Sequence, residues 1–421
     1  MNSELKNRIL FTIFVLFLYR IGTFIPLPGV DSTIIQQFFG SKAGSVFGMI
    51  NTFSGGALKR MSIFALNIMP YITASIIIQL LGSVYKGLET LKKEGEYGRK
   101  KINQYTKYLT LCLSFIQSLG IYFAFKNLEQ SAFISDSKIF LWTTSFSLVA
   151  GTMILMWLGD RITAQGIGNG ISLLIFVGIV SELPGSFLSI LNLSKSGVYP
   201  WFVVVLLVIF LISFIIFITF VEKITRNIKI QYPNRGMMKR SGMNDNSYIP
   251  LKLNLSGVIP PIFASSVLMF PVAISQFFKG GFGQKVSVIL KRGGSVYLIL
   301  FSLLIIFFCF FYASLVFNSE EIAENLKKGN SFIPGIRPGK STEKYFNTVI
   351  SRITMIGSLY LLIVCIAPEI LISRYAVPLS IGGTGILIIV NVIVDLVTQI
   401  QSHLFTEKYS NINKKRRIKV R

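Results

Sequence analysis

Charge is scarce in this chain: Asp, Glu, Lys and Arg make up 14% of its 421 residues, against about 25% in an average soluble domain. Acid is scarcer still, with 18 Asp and Glu against 42 Lys and Arg. There is one histidine, His403, just beyond the last apolar run. The three cysteines, Cys112, Cys309 and Cys365, lie in separate apolar runs, a pattern that suits neither a disulfide framework nor a metal cluster. No GxxxxGK[ST], HExxH or CxxC motif occurs. A buried general acid–base pair cannot readily be built from so few titratable groups, so no catalytic residue, metal or cofactor is expected and the chain reads as a non-enzyme. GIGNG at 166–170 has the look of a phosphate loop but follows no strand. It is better read as a tight turn into the next helix.

What is abundant is apolar sequence. Hydrophobic residues make up 52% of the chain and the mean hydropathy is +0.62. A bilayer core of about 30 Å takes about 20 apolar residues per helix, and the runs here are too long and continuous for barrel strands. The expected fold is therefore all-α, a polytopic membrane protein. Ten spans are predicted, at 8–27, 63–82, 107–125, 140–158, 170–190, 201–221, 254–278, 296–317, 346–372 and 380–400. The first contains Arg20 and ends in Pro26-Leu27-Pro28-Gly29 without a small-residue cleavage site, so it is read as a retained helix rather than a leader. No partner for Arg20 is evident.

With the N-terminus inside, 30 of the 42 Lys and Arg fall on the cytoplasmic side, which sets the orientation and places both termini there. The tail, 401–421, has six basic residues in its last eight. Such charge attracts anionic lipid headgroups and equally suits an acidic macromolecular partner. The loop FIPGIRPGK at 332–340 sets two prolines and two glycines around Arg337, a rigidity that charge alone does not need.

Two functional classes compete. A secondary transporter with broken helices could use Pro70, Pro260, Pro261 and Pro271. Coupled transporters, however, carry ionisable residues in mid-span. Here the span charges Arg161, Glu182, Arg352, Glu369 and Asp395 cluster near span ends. The mid-span polar residues Thr73, Ser75, Gln79, Asn254, Ser265 and Ser266 are neutral and suit a seam between helices held by weak hydrogen bonds.

Residues 51–81, NTFSGGALKRMSIFALNIMPYITASIIIQLL, place a glycine-bearing basic segment directly ahead of an apolar half. This run resembles the SecY family of protein-conducting channels. So do KKEGEYGRKKINQYTKY (92–108), MWLGDRITAQGIGNGIS (156–172), LNLSGVIPPIFASS (253–266), NLKKGNSFIPGIRPG (325–339) and GGTGILIIV (382–390), in order along essentially the whole chain. The resemblance implies two pseudo-symmetric inverted halves, 1–190 and 191–400, hinged between helices five and six and followed by the basic tail. It also implies a re-entrant plug within about 46–62, made of Phe53, Ser54, Gly55, Gly56, Ala57, Leu58, Lys59 and Arg60.

Carried over motif by motif, the resemblance places a pore ring at Ile68, Ile72, Ile171, Ile175, Ile262 and Ile388, an apolar constriction that dewets. A lateral gate would lie between helices two and seven, with Thr73, Ser75 and Gln79 on one side. Asn254, Pro260, Pro261, Ser265, Ser266 and Phe270 would form the other, where Gly257 and the prolines weaken the backbone ladder. Cytoplasmic docking would use Arg235, Lys239, Arg240 and Arg337. The implied partners are small SecE- and SecG-like membrane subunits, the SecA motor ATPase, the ribosome through its RNA and proteins, nascent polypeptides with signal sequences, and anionic lipids. The implied location is the bacterial cytoplasmic membrane.

Overall fold

The computed structural model describes residues 3–30, 35, 51, 54–126, 138–197, 200–231, 247–275, 293–375 and 382–419. Five helices come before residue 196 besides one short piece: α1 (Ser3–Gly22), α2 (Met69–Val84), the short α3 (Lys86–Lys93), α4 (Glu96–Lys126), α5 (Lys138–Gln165) and α6 (Gly170–Lys195). After α7 (Trp201–Lys223) come strands β1 (Thr225–Ile230) and β2 (Ser247–Lys252), then α8 (Ile259–Ser275) and α9 (Ser295–Val316). The short α10 (Ser319–Lys328), α11 (Lys340–Tyr375) and α12 (Gly383–Lys419) complete the order.

Each predicted span falls on a helix. On length and composition α5, α6, α7, α9, α11 and α12 can each cross a bilayer, and the pair α2–α3, bent by 102°, makes a seventh. The chain is a multi-pass helical membrane protein. Its outer faces agree: α7 exposes Trp201, Phe202, Ile209, Ile216 and Phe220, as a helix apolar all round does when it borders lipid.

Local chemistry explains where the helices begin. Pro70 does not break α2; it sits in its first turn, where the missing N–H would have no intrahelical partner. Pro260 and Pro261 likewise fall in the first turn of α8, and only Pro271 lies inside that helix. The expectation that Pro260 and Pro261 weaken the ladder is thereby corrected: they start the helix. Asn169 caps α6, its side-chain oxygen accepting from the N–H groups of Ile171 and Ser172, so GIGNG is a turn into a helix. α10 has Glu320 and Glu321 in its first turn and Lys327 and Lys328 in its last, each favourable to the helix dipole.

α2 packs broadly on α4, α4 on α5, α5 on α6, α9 on α8 and α11, and α12 on α6, α7 and α11; α8 meets α2 and α4 only narrowly. One large apolar cluster draws on α1, α2, α5–α9, α11 and α12. β1 and β2 form an antiparallel ribbon with Ile228 opposite Ile249, an addition to the helical plan. Gln231 pairs with Phe332 in the next loop, and Ile228, Leu251, Ile333, Phe346 and Ile350 share a second core beneath both. The two loops between helices thus stand on a common packed base.

Candidate functional site

Residues 54–68 form successive turns between α1 and α2. The segment is folded inward: Ser54, Ala57 and Leu58 are fully buried, and Leu58 and Met61 pack with Leu27, Ile121, Tyr122 and Leu148. Its glycines are needed. Gly55 and Gly56 have φ of +65° and +79°, a region costly for other residues. A Cβ on Gly55 would stand 2.9 Å from the Gly178 carbonyl oxygen, and one on Gly56 would stand 2.7 Å from Glu182 Oε1. The segment therefore lies directly against α6.

Polar bonds fasten it there. Arg20 donates to the Gly55 carbonyl at 3.0 Å, and Arg60 donates to the same oxygen at 3.0 Å. Both guanidinium groups also cover the Phe24 ring, at 5.0 and 4.1 Å. Arg20, whose partner the sequence did not reveal, is thus an anchor for this turn. Asn51 accepts from the Lys59 N–H at 2.8 Å and donates to Glu182 Oε1 at 3.4 Å. A backbone bridge between Pro26 and Ser62 ties the far end to the chain leaving α1. Charge-assisted hydrogen bonds contribute about 1.5–3 kcal/mol each, enough to order so short a segment. Lys59 stays exposed and Phe53 lies outside the described residues.

The six isoleucines are brought together in one apolar cluster. Ile68, Ile175 and Ile388 are buried in it; Ile72, Ile171 and Ile262 pack against it half-buried. They come from the start of α2, from α6, from α8 and from α12, so elements far apart in sequence converge.

The α2–α8 contact is narrow, and its polar side chains behave unexpectedly. Thr73 donates to the Met69 carbonyl, Gln79 to Ser75 and Ser265 to the Ile262 carbonyl. These bonds run along each helix. The expectation that Thr73, Ser75, Gln79 and Ser265 join the seam by hydrogen bonds across it is corrected: a hydroxyl three or four residues on finds its own helix carbonyl first. Ser266 is buried on α8. Asn254 precedes α8 and bonds downward to Glu222, not across the seam. Phe270 lies on α8, its side chain outside the described residues.

On the loop between α10 and α11, Arg337 is exposed between Gly335 and Gly339, which have φ of +83° and +103°. Its carbonyl accepts from Thr342 Oγ1 at 3.0 Å, so a fixed backbone presents an exposed cation. Arg235, Lys239 and Arg240 lie outside the described residues.

The SecY family model matches residues 62–397. The chain belongs to the SecY family. A relative from Rickettsia typhi (strain ATCC VR-144 / Wilmington), a protein translocase subunit SecY, is 47% identical over 99% of this chain and 98% of its own length. Two solved structures share the fold. One, at 19% identity and a TM-score of 0.69, covers 96% of this chain and 93% of that one; it is of a SecY protein whose plug domain stabilises the closed state of the translocation channel and maintains a membrane seal. The other, at 17% identity and a TM-score of 0.67 with the same coverage, is Sec61 in a canine ribosome-channel complex from the endoplasmic reticulum. In SecY terms, residues 54–60 occupy the stretch from which the sequence predicts a plug. Glu182 and Asn51 were not singled out as part of it. An acid on the fifth span facing three basic residues, Arg20, Lys59 and Arg60, was the available signal.

Proposed function

We propose that this chain is the channel subunit of a bacterial protein translocase, passing unfolded secretory polypeptides across the cytoplasmic membrane and releasing apolar segments sideways into lipid. The observation that carries the reading is the buried turn at 54–60, fastened by Arg20 and Arg60 to a single carbonyl and lying against α6, the helix that supplies two of the convergent isoleucines. A removable stopper over an apolar constriction suits a pore that must pass varied polypeptides yet refuse ions, because such a ring offers hydrated ions no polar partner.

In this reading ten spans form two halves, 1–190 and 191–400, and both termini and the tail at 401–421 are cytoplasmic. Ile68, Ile72, Ile171, Ile175, Ile262 and Ile388 form the ring, and α2 and α8 part as the gate when a signal sequence intercalates. The chain hydrolyses nothing. Energy comes from SecA or the ribosome docked on the loops around Arg235, Lys239, Arg240 and Arg337, with SecE- and SecG-like subunits clamping the channel and anionic lipids meeting the basic tail. Support for ribosome docking comes from the ribosome-bound canine neighbour and from the exposed, rigidly mounted Arg337.

The test is replacement of the native channel in depleted cells. The parent chain, with its small subunits, is expected to restore export of a secreted reporter. Arg337→Glu is expected to reduce it by about tenfold at unchanged membrane abundance, because charge reversal turns attraction for an acidic partner into repulsion. Normal export by Arg337→Glu would sink the docking assignment, and no export by the parent would sink the channel.

A further inference from the structure

A buried carboxylate sits at the cytoplasmic root of α8, outside the plug and the ring. Glu222, in the last turn of α7, is 6% exposed. Its Oε1 accepts from the Asn254 side-chain amide at 2.8 Å. The same amide donates to the Gly257 carbonyl at 3.1 Å, and Asn254 Oδ1 accepts from Ser256 Oγ at 3.3 Å. Asn254 itself is 3% exposed. From a third element, Tyr360 on α11 brings a buried hydroxyl near the same carboxylate without hydrogen-bonding to it. The backbone reinforces the node: Leu253 N–H donates to the Ile224 carbonyl, and the Leu253 carbonyl lies 2.9 Å from where a Cβ on Gly357 would stand. The charges that act on Glu222 from outside, Lys252 and Asp395, are exposed and paired with each other at 3.9 Å.

A buried carboxylate is costly unless donors answer it. The donor here belongs to the segment that leads into the gate helix, so moving that segment away strips the carboxylate of its partner. The upper seam with α2 is narrow and has no comparable bond among the described residues. α8 is therefore held by directed bonds at its root and, above it, by apolar packing that is broad on α9 and narrow on α2 and α4.

Resting on the channel reading, we propose that Glu222 is a positioning residue for the lateral gate: through Asn254 it fixes the pivot of α8 and so sets how apolar a signal helix must be to part the seam. The burial of apolar surface by the incoming helix supplies the opening free energy, and a stiffer pivot demands more of it.

Two secreted reporters test this in cells depleted of native channel, one with an intact signal sequence and one with a shortened apolar core. The readout is export of each, with membrane abundance measured alongside. Asn254→Ala removes one hydrogen bond to a charged group and should raise export of the weak-signal reporter by about tenfold. Glu222→Gln keeps the size and the acceptor but loses the charge, and should raise it by about threefold. If Asn254→Ala fails to accumulate, Glu222→Gln alone decides. Weak-signal export unchanged in that variant at parental abundance overturns the pivot, as does an equal rise in export of the intact-signal reporter. A parent that exports neither reporter overturns the channel reading on which the pivot rests.

Discussion

On the proposed function, the plug segment at 54–60 and the α2–α8 seam are both joints that the channel has to open, and they are held by different means. The plug is fastened by directed bonds. Two arginines meet the Gly55 carbonyl, glycines take backbone that other residues adopt at a cost, and there is little room against α6. The seam has narrow packing between apolar helices whose hydroxyls are satisfied internally. Directed bonds give one well-defined resting position and break together. Apolar packing yields gradually to another apolar surface, which a signal helix would provide. A stopper and a gate need those two behaviours respectively.

The sharpest way to break the comparison is at Gly55. Valine there meets both a φ of +65° and the Gly178 carbonyl, a conjunction of strain and overlap worth several kcal/mol. The plug should be displaced and the resting channel should conduct ions, at least about tenfold above the parent in planar bilayers without substrate. Equal tightness would mean that residues 54–60 do not seal.

The next effect belongs to the ring. Ile72→Asn with Ile262→Asn should leak more than either change alone, since an amide gives water a partner and dewetting depends on the whole constriction. Matched changes at lipid-facing Ile209 and Ile216 on α7 control for lost stability. If those controls leak equally, the six isoleucines are packing residues only.

Much of this was legible beforehand, for physical reasons that differ by region. The helices follow from apolar runs, because each run must satisfy its own backbone in lipid. That 54–60 is not part of a spanning helix is legible because Gly55-Gly56 followed by Lys59 and Arg60 suits none. The meeting of the six isoleucines cannot be read from any one of them; convergence of α2, α6, α8 and α12 is a tertiary fact, suggested in sequence only through resemblance. What was misread is where polar groups look for partners. Arg20 reaches a carbonyl 35 positions away, and no periodicity encodes that. Asn254 was placed with the seam by its neighbours in sequence, whereas its amide turns toward α7. The prolines of α2 and α8 were read as breaks because spans were drawn through them, a boundary error with a chemical consequence.

A smaller effect probes redundancy in the plug. Arg20 and Arg60 donate to one oxygen, so either alone still satisfies it. Arg20→Gln or Arg60→Gln should each raise the resting conductance by no more than about threefold. The double change should exceed the product of the singles, because only then is the carbonyl left without a donor. Strictly multiplicative behaviour would show that the two arginines act on separate parts of the plug.

The smallest effect is expected at Thr73, and it bears on the seam. Its hydroxyl donates to the Met69 carbonyl within α2 at 3.1 Å, so the bond contributes nothing across the gate. Thr73→Val keeps the branched shape and removes the hydroxyl, and the carbonyl it releases retains its helical partner. Export of intact-signal and weak-signal reporters should each stay within about twofold of the parent, the size of a surface substitution of about 0.5 kcal/mol. By contrast, Thr73→Val should matter greatly if a strong hydrogen bond across the seam set the gate, since the strongest cross-helix bonds in membrane proteins reach about 1.7 kcal/mol, or more than about tenfold. A weak-signal reporter exported tenfold better by Thr73→Val would therefore return the seam to polar control and remove the distinction from the plug.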